Sequence, residues 1–373
     1  MNRTEDPFRA FRAQFPALEQ TVYLNTASAA PGARPVADAL RHALAEWEAG
    51  TFSSRAWDAA GLSTRELFAQ LINAPASAVA LIGSASEGAA TVAASLAPGR
   101  VVVGEREFRS NLFPWLALAE RGFEIATVPA TNGVVPTDAL LAAIDHRTVL
   151  VAVSAVQFAN GYRVWLEPVA ERAREVGAFF FVDATQAVGA LAFDVAALRP
   201  DALVAHGYKW LLSPRGACWL YVAPERLAAL RPLAPSWRTA VDPYAQLSGG
   251  PYALPADARK LDLSPAWFSF LGAKAALELL LRLPASAIEA RCLALAAQFR
   301  AGAAQLGLVL APTEAPSHLV GILAANPEAL RDALARQGIQ TGARGRYLRL
   351  GFHAFNDETD VERALDALRR ATR

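Results

Sequence analysis

Lys209 lies between two aromatic residues in DALVAHGYKWLLSPRGACWLYV, residues 201–222, a segment that is otherwise typical of buried chain. The protein has few lysines and takes most of its positive charge from arginine. A lysine in a dry aromatic pocket loses its proton easily and then acts as a Schiff-base nucleophile. The alternative is a surface lysine whose aliphatic stem packs on the neighbouring rings.

A carboxylate occupies a related place in FFFVDATQAVG, residues 179–189, where Asp183 ends an apolar run and Gln186 follows in the turn. Lys209 follows the next apolar run, ALVA. Because the carboxyl ends of parallel strands meet at one edge of a sheet, Asp183 and Lys209 are predicted to face opposite ends of one small ligand. Asp183 would also serve as an ordinary helix N-cap.

A third motif, LIGSASEGAATVAASLA, predicts a strand, a turn of small residues and a helix that begins near Ser86. Free N–H groups and the helix dipole favour a phosphate there, although many capped helices begin in the same way. The three motifs together meet the needs of pyridoxal 5′-phosphate (PLP). Its aldehyde takes a lysine, its ring nitrogen a carboxylate and its phosphate a helix start.

Alternating β-rich and amphipathic runs supply the elements that would position these residues. The predicted strands are AVALI (78–82), RVVVG (100–104), FEIATV (123–128), TVLVAV (148–153), AFFFV (178–182), ALVA (202–205) and ACWLYV (217–222). Between them lie the predicted helices GAATVAASLA, SNLFPWLALAERG, PTDALLAAID and LEPVAERAREVG. Strands that are apolar on both faces and alternate with helices predict an α/β domain with a parallel sheet.

The pattern changes after about residue 225. Long alanine- and leucine-rich helices are predicted at 268–282 and 285–306, followed by the strands SHLVGIL and RYLRLG and a last helix at 357–372. This order predicts a smaller α+β domain in the last third of the chain.

Composition excludes several classes of function. The 373 residues are 53% hydrophobic and carry a net charge of +1, with no clustered basic face for nucleic acid. No apolar run is long enough to span a bilayer, and the N-terminus has no signal-peptide core. Two cysteines, Cys218 and Cys292, make neither a disulfide scaffold nor a metal knuckle. We therefore expect a cytoplasmic protein with no membrane or nucleic-acid partner.

Six motifs occur in the order and spacing of the class V aminotransferases, a family of fold-type I PLP enzymes that holds cysteine desulfurases, kynureninase and isopenicillin N epimerase-like proteins. They are YLNTASAAP, SASEGAA, EFRSNLFPW, VDATQAVG, HGYKWLLSPRG and YLRLGFHAFN. The chain resembles this family from about residue 20 to 370, most closely its epimerase-like branch. The resemblance implies a large PLP-binding domain over 20–255 with a mainly parallel seven-stranded sheet. It also implies a small α+β domain over 256–373, an N-terminal segment 1–19 that packs near it, and a homodimer.

The resemblance also implies roles for single residues around the cofactor. Lys209 would form the internal aldimine and move the α-proton of the substrate, Asp183 would pair with the pyridine nitrogen, and Gln186 would hydrogen-bond the phenolic oxygen. Phosphate would be held by backbone amides of Ala85 and Ser86 and by the Ser86 hydroxyl. The residues at positions that resemble the other phosphate contacts are His206 and Tyr208.

The substrate side is implied in the same way. Phe108 would stack on the cofactor face, unless it is a core residue, and Arg349 would clamp the α-carboxylate, unless it is a solvated strand residue. The segment with Asn25, Thr26 and Ser28 would line the substrate entrance, although it also reads as an ordinary turn. We further expect Phe108, Trp210 and Tyr162 to give the pocket an aromatic lining.

Two departures from the family limit the activity. The loop IQTGARGRYLRLG has no cysteine where desulfurases carry their nucleophile, which argues against a persulfide-forming desulfurase. The glycine loop through which a neighbouring subunit contacts phosphate has only a loose counterpart in LSGGPY, with Ser248 and Gly249.

The first hypothesis is transamination of an amino acid, and epimerisation or a β- or γ-lyase reaction would use the same residues. A non-catalytic PLP-binding regulator is a second class, but no DNA-binding domain is appended. A nicotinamide-dependent oxidoreductase is a third, but no G-x-G-x-x-G follows the first strand.

Overall fold

The computed structural model describes residues 6–245 and 247–372. Its α-helices are α1 Pro7–Arg12, α2 Arg34–Glu48, α3 Ser54–Leu71, α4 Ala85–Ser95, α5 Phe113–Leu116, α6 Thr137–Ala143, α7 Leu166–Val176, α8 Val195–Leu198, α9 Pro224–Leu227, α10 Trp267–Leu280, α11 Ala285–Gln305, α12 Pro327–Ala335 and α13 Glu358–Ala371. Its strands are β1 Val22–Tyr23, β2 Val79–Ile82, β3 Arg100–Gly104, β4 Glu124–Val128, β5 Thr148–Ser154, β6 Phe179–Asp183, β7 Ala202–His206, β8 Cys218–Val222, β9 Leu319–Leu323, β10 Ile339–Gln340, β11 Gly342–Arg344 and β12 Tyr347–Gly351.

A mainly parallel sheet of seven strands dominates the fold, in the order β2-β8-β7-β6-β5-β3-β4. The strands from β7 to β4 are parallel, and β8 runs antiparallel to both β7 and β2. Each strand predicted for this domain occurs within one or two residues of its expected bounds. The strands β2, β6, β7 and β8 are buried at every position, which explains why they are apolar on both faces. The expected α/β fold class is confirmed.

One predicted helix, residues 110–122, is interrupted. Only α5 is α-helical there, and 3₁₀ turns cover Arg109–Asn111 before it and Ala117–Arg121 after it. Pro114 has no N–H to donate, so it fits only the first turn of a helix. Gly122 then ends the segment with a left-handed conformation at φ 81°.

The C-terminal third adds a three-stranded antiparallel sheet, β11-β12-β9. The helices α11 and α13 pack against each other beside it, as do α12 and α13. The strand β1 pairs in parallel with β10, and Arg12 of α1 binds Asp360 of α13 at 2.7 Å. The described part of the N-terminal segment therefore contacts α13 and β10 of the C-terminal third. The domain boundary at residues 255 and 256 stays a prediction, because α10 packs against α2 and α3.

Apolar side chains fill both faces of the large sheet and one face of the small one. This packing leaves the carboxyl edges of β5, β6 and β7 as the place where polar side chains converge. Among the helices of the described residues, none is long and apolar enough to cross a membrane.

Candidate active site

One pocket opens at the carboxyl edge of the large sheet. Eight residues predicted from the sequence line it together: Ala85, Ser86, Phe108, Asp183, Gln186, His206, Tyr208 and Lys209. Seven further residues line the pocket without having been predicted from the sequence: Ser84, Ser110, Ser154, Val156, Phe158, Thr185 and Arg215. The carboxyl ends of parallel strands thus bring together residues that lie more than a hundred positions apart in the chain.

Lys209 is 6% exposed, and its Nζ lies 5.6 Å from the ring centre of Phe108 and 5.4 Å from that of Tyr208. Burial lowers the pKa of Lys209 to about 8, against the opposing effect of the Asp183 charge. The loop that carries the lysine is held by a hydrogen bond from Leu212 N to Lys209 O, 3.1 Å, with Leu212 at φ 59°. A fixed amine with this pKa is partly neutral near pH 8 and available as a nucleophile.

Asp183 ends β6 and is 5% exposed. Its Oδ1 accepts a hydrogen bond from Thr185 N at 2.9 Å. Burial raises the pKa of Asp183, while hydrogen bonds from Thr185 and the charge of Lys209 lower it. Because the carboxyl group also lines the pocket, it can share a proton with a basic atom of a ligand.

Gln186 is held from both sides. Its Nε2 donates to Ala27 O at 3.0 Å, and its Oε1 accepts from Trp210 Nε1 at 2.7 Å. The indole N–H fixes which end of the amide is oxygen, and one hydrogen of Nε2 remains for another acceptor.

Trp210 is fully buried and does not line the pocket. Tyr162 is also buried outside the pocket, near Glu314. The expected aromatic lining is therefore wrong for both. Phe158 takes this place, with its ring edge-on to Phe108 at 5.0 Å. Phe158 lies in a loop with no helical or strand periodicity, so the sequence does not predict that its side chain faces the pocket.

The helix α4 presents its N-terminus to the pocket, beginning at Ala85, one residue before the predicted Ser86. The Ser84 hydroxyl caps it by accepting from Glu87 N at 3.4 Å, and Glu87 Oε2 accepts from Gly83 N at 2.7 Å. The Ser86 hydroxyl lies 3.1 Å from that of Ser84. The first N–H groups of a helix have no intrahelical partner, so this end can bind an anion.

His206 ends β7, and its Nε2 is buried without a hydrogen-bond partner within residues 6–245 and 247–372. Burial lowers the pKa of His206 to about 4, and the charges of Lys209 and Arg215 add to this effect. Its ring meets the Tyr208 ring edge-on at 4.5 Å. The imidazole is neutral at pH 7, and Nε2 is left for a ligand.

Arg349, Ser28 and Asn25 lie together between β12 and the N-terminal segment. Arg349 is 2% exposed and donates through Nη2 to Ser28 Oγ at 2.8 Å and through Nη1 to Phe158 O. Burial lowers the pKa of Arg349 to about 9. Its Nε and Asn25 Oδ1 are buried without partners in the described part of the chain, as is Thr26 Oγ1. The contact with Phe158 joins this group to the pocket wall.

Glu107 is a second buried carboxylate that the sequence analysis missed. It accepts hydrogen bonds from Ser154 N at 2.9 Å, from Ser154 Oγ, and from Asn111 Nδ2 at 3.0 Å. Burial raises the pKa of Glu107 to about 7, although these hydrogen bonds lower it. The signal in the sequence is a glutamate and an asparagine four residues apart in EREFRSN, facing a serine that ends the apolar strand TVLVAVS.

Other candidate residues lie apart from the pocket. Ser248 and Gly249 are exposed and do not line it, so their contact with a neighbouring subunit, like the homodimer itself, stays a prediction. Cys218 and Cys292 are buried, and burial raises the pKa of both thiols. In the described residues, no group of three or more His, Cys, Asp or Glu could hold a metal ion.

Known proteins resemble this chain over most of its length. An uncharacterized aminotransferase of Bacillus subtilis, YcbU, is 29% identical over 97% of both chains. A probable cysteine desulfurase of Methanothermobacter thermautotrophicus is 33% identical over 64% of this chain and 61% of its own length.

Solved structures share the fold. The cysteine desulfurase CsdA of Escherichia coli has a TM-score of 0.84 at 24% identity, and each chain is covered to 99%. A mutant of C-DES with glycine covalently linked to its PLP cofactor has a TM-score of 0.86 at 20% identity, covering 98% of this chain and 99% of that one. The model of the family "Aminotransferase class-V" matches residues 22–363, so the chain belongs to the class V aminotransferase family.

Proposed function

We propose that this protein is a PLP-dependent enzyme that acts at the α-carbon of an amino acid, with Lys209 as the covalent anchor of the cofactor. The observation that carries the proposal is the buried amine of Lys209, which shares one pocket with the carboxyl group of Asp183. When bound, PLP withdraws electrons from the substrate α-carbon through its protonated ring. The proposal rests on the class V family and on the C-DES structure, whose cofactor is PLP.

The residues present fit this cofactor. Asp183 can hold a proton on the ring nitrogen, and the free hydrogen of Gln186 Nε2 can reach an oxygen on the ring. The unpartnered Nε2 of neutral His206 and the first N–H groups of α4 suit a phosphate. These donors lie along one pocket, as a flat ring with a phosphate arm requires.

The residues of this chain then have distinct tasks. Lys209, with its pKa near 8, can accept a proton at Nζ and return it to a neighbouring carbon. Arg349 holds the substrate carboxylate through a guanidinium that its contacts with Ser28 and Phe158 already orient. Phe108 and Phe158 cover one side of the pocket and exclude water from it.

Transamination is the reaction we favour, supported by the likeness to an uncharacterized aminotransferase over nearly the whole chain. A C–S lyase is the second candidate, favoured by the fold shared with the cystine C–S lyase C-DES. A protein-bound persulfide is not part of either proposal. The hairpin of β11 and β12 has a turn of two residues and no cysteine, and both cysteines of the chain are buried elsewhere. Epimerisation would use the same residues.

Reduction with borohydride tests the anchor. We expect protein reconstituted with PLP to yield, after proteolysis, a peptide in which the reduced cofactor is attached to Lys209. The matched control is Lys209→Ala, which should keep the thermal unfolding temperature of the apo protein and lose both adduct and turnover. An adduct at another lysine, or normal turnover in Lys209→Ala, would contradict the proposal.

Absorbance spectra with a panel of L- and D-amino acids separate the reactions. Conversion of the bound cofactor to pyridoxamine phosphate, with release of a keto acid, indicates transamination. Unchanged cofactor with sulfide or a cleaved product indicates a lyase, and racemised amino acid indicates an epimerase. Mass spectrometry of the products distinguishes these results.

A further inference from the structure

Arg344 is a cation for which the proposed function has no use. It ends β11, is exposed, and among the described residues its side chain donates a hydrogen bond only to the adjacent carbonyl of Ala343, at 2.6 Å. No carboxylate of the described residues forms an ion pair with it, whereas other arginines of the chain, such as Arg147 and Arg172, have such a partner. An exposed guanidinium without a protein partner is available for an anionic ligand.

The register of the hairpin places Arg344 on the face that carries Arg349. In the antiparallel pair, Gly342 lies opposite Arg349 and Arg344 opposite Tyr347. Residues two apart on a strand share a face, so these four positions point to one side. Arg349 reaches Phe158 O from this face, and Phe158 lines the pocket. Arg344 is exposed on this same face, about 7 Å along the strand from the position opposite Arg349.

Two buried polar side chains, Asn25 and Arg349, pack closely over Gly342. A Cβ added to Gly342 would come within 2.7 Å of Asn25 Oδ1 and 2.9 Å of Arg349 Nε. Both of these atoms are buried and have no partner among the described residues. An unpaired buried donor and acceptor are costly, so these two atoms favour a polar ligand that would pair with them.

The charge of Arg344 acts on the pocket. It lowers the pKa of Lys209 and of Arg349, and in each case burial lowers that pKa by more. Its guanidinium is therefore within electrostatic reach of both the nucleophile and the carboxylate site.

We propose that Arg344 binds a second anionic group, at the end of the substrate side chain, so that the preferred substrates are amino acids with an acidic side chain. This inference rests on the proposed function, because Arg349 must hold the α-carboxylate. Arg349 and Arg344 then contact the two ends of one dicarboxylate.

Binding of unreactive dicarboxylates tests the inference without turnover. Isothermal titration calorimetry on the PLP-loaded enzyme compares glutarate with glutaramate, its monoamide of the same shape, in which a neutral amide replaces one of the two carboxylates. We expect glutarate to bind about tenfold more tightly, the effect of one charge-assisted contact. Succinate and adipate, measured in the same way, show which separation of the two carboxylates fits best.

Arg344→Gln should weaken glutarate to the affinity of glutaramate and leave glutaramate unchanged. The matched control is Arg346→Gln, which removes the same charge from the turn of the hairpin, where Arg346 lies beside Leu323 and Pro327, away from the pocket. Its glutarate affinity should stay at the wild-type value. The ratio of kcat/KM for L-glutamate over L-glutamine should fall about tenfold in Arg344→Gln only.

Two results would overturn the inference. Equal affinity of the wild type for glutarate and glutaramate would show that no second anion site exists. A glutarate preference that survives in Arg344→Gln, or that Arg346→Gln also loses, would show that Arg344 does not form it. Either result with a borohydride adduct on Lys209 leaves the proposed function standing, whereas absence of the adduct contradicts the function itself.

Discussion

Two buried carboxylates, Asp183 and Glu107, lie at the same edge of the large sheet and differ in what surrounds them. Asp183 ends β6, and Glu107 follows β3 by three residues. Burial raises the pKa of both. The hydrogen bonds to Asp183 come from Thr185, and the carboxyl group also lines the pocket. Glu107 accepts hydrogen bonds from Ser154 N, Ser154 Oγ and Asn111 Nδ2, and it is not among the residues that line the pocket.

This difference shows how one residue type serves two purposes at one sheet edge. Asp183 lines the pocket, so its carboxylate can act on a ligand. The carboxylate whose oxygens are used by Ser154 and Asn111 ties the segment before Phe108 to the end of β5. We therefore expect substitution of Asp183 to affect turnover and substitution of Glu107 to affect stability.

The largest effect is expected from Asp183→Asn. The amide keeps an oxygen for Thr185 N, so the fold and cofactor binding should survive. It cannot hold a proton on the ring nitrogen as a carboxylate does, and turnover should fall by about 100-fold or more, the scale of a lost proton-transfer partner. Steady-state kinetics and cofactor absorbance check this, with the thermal unfolding temperature as a control. Wild-type turnover would show that ring protonation is not needed.

Glu107→Gln should have a smaller effect than Asp183→Asn, and this effect should be on stability and not on turnover. The amide NH₂ replaces an oxygen that now accepts from Ser154 or Asn111, and the free energy of unfolding should fall by about 1–3 kcal/mol. Urea unfolding measures it. Glu120→Gln is the matched control, because Glu120 is exposed in the segment that follows. A stable Glu107→Gln with lost turnover would make Glu107 a functional acid and remove the contrast with Asp183.

The pH dependence of the same variant sharpens the comparison. Burial raises the pKa of Glu107 to about 7 in the folded protein, above its value in the unfolded chain. The folded state then binds the proton more tightly than the unfolded chain does. The stabilisation of the folded state by this proton is complete below the unfolded pKa and is lost as the pH rises through about 7. Glutamine does not titrate and so lacks this stabilisation. Glu107→Gln should therefore lower the free energy of unfolding more at pH 5 than at pH 8. An equal cost at both pH values would contradict the assignment.

The sequence predicts most of the sheet and much of the pocket, for a physical reason. Strands buried on both faces are continuous apolar runs, and the residues that end them, Asp183 and His206, must lie at one edge. Residues placed by loops are different. Trp210 directly follows Lys209, yet its ring is buried outside the pocket lining, where its N–H binds Gln186 and the chain turns at the left-handed Leu212. Phe158 and Arg215 reach the pocket from irregular segments whose paths depend on tertiary contacts.

The smallest predicted effect concerns Phe108, which Glu107 helps to place. Its side chain is 39% exposed, which a core residue would not be, and it lies edge-on to Phe158 on one wall of the pocket. A stacked aromatic ring contributes about 0.5–1.5 kcal/mol beyond the area it buries, so Phe108→Leu should weaken PLP binding about twofold to tenfold. Titration of the apo protein with PLP measures this, with Phe113→Leu as the control, since Phe113 is exposed and does not line the pocket. Unchanged affinity would show that the ring does not stack on the cofactor. A fall in unfolding temperature as large as that of Glu107→Gln would instead place Phe108 with the structural residues, on the Glu107 side of the comparison.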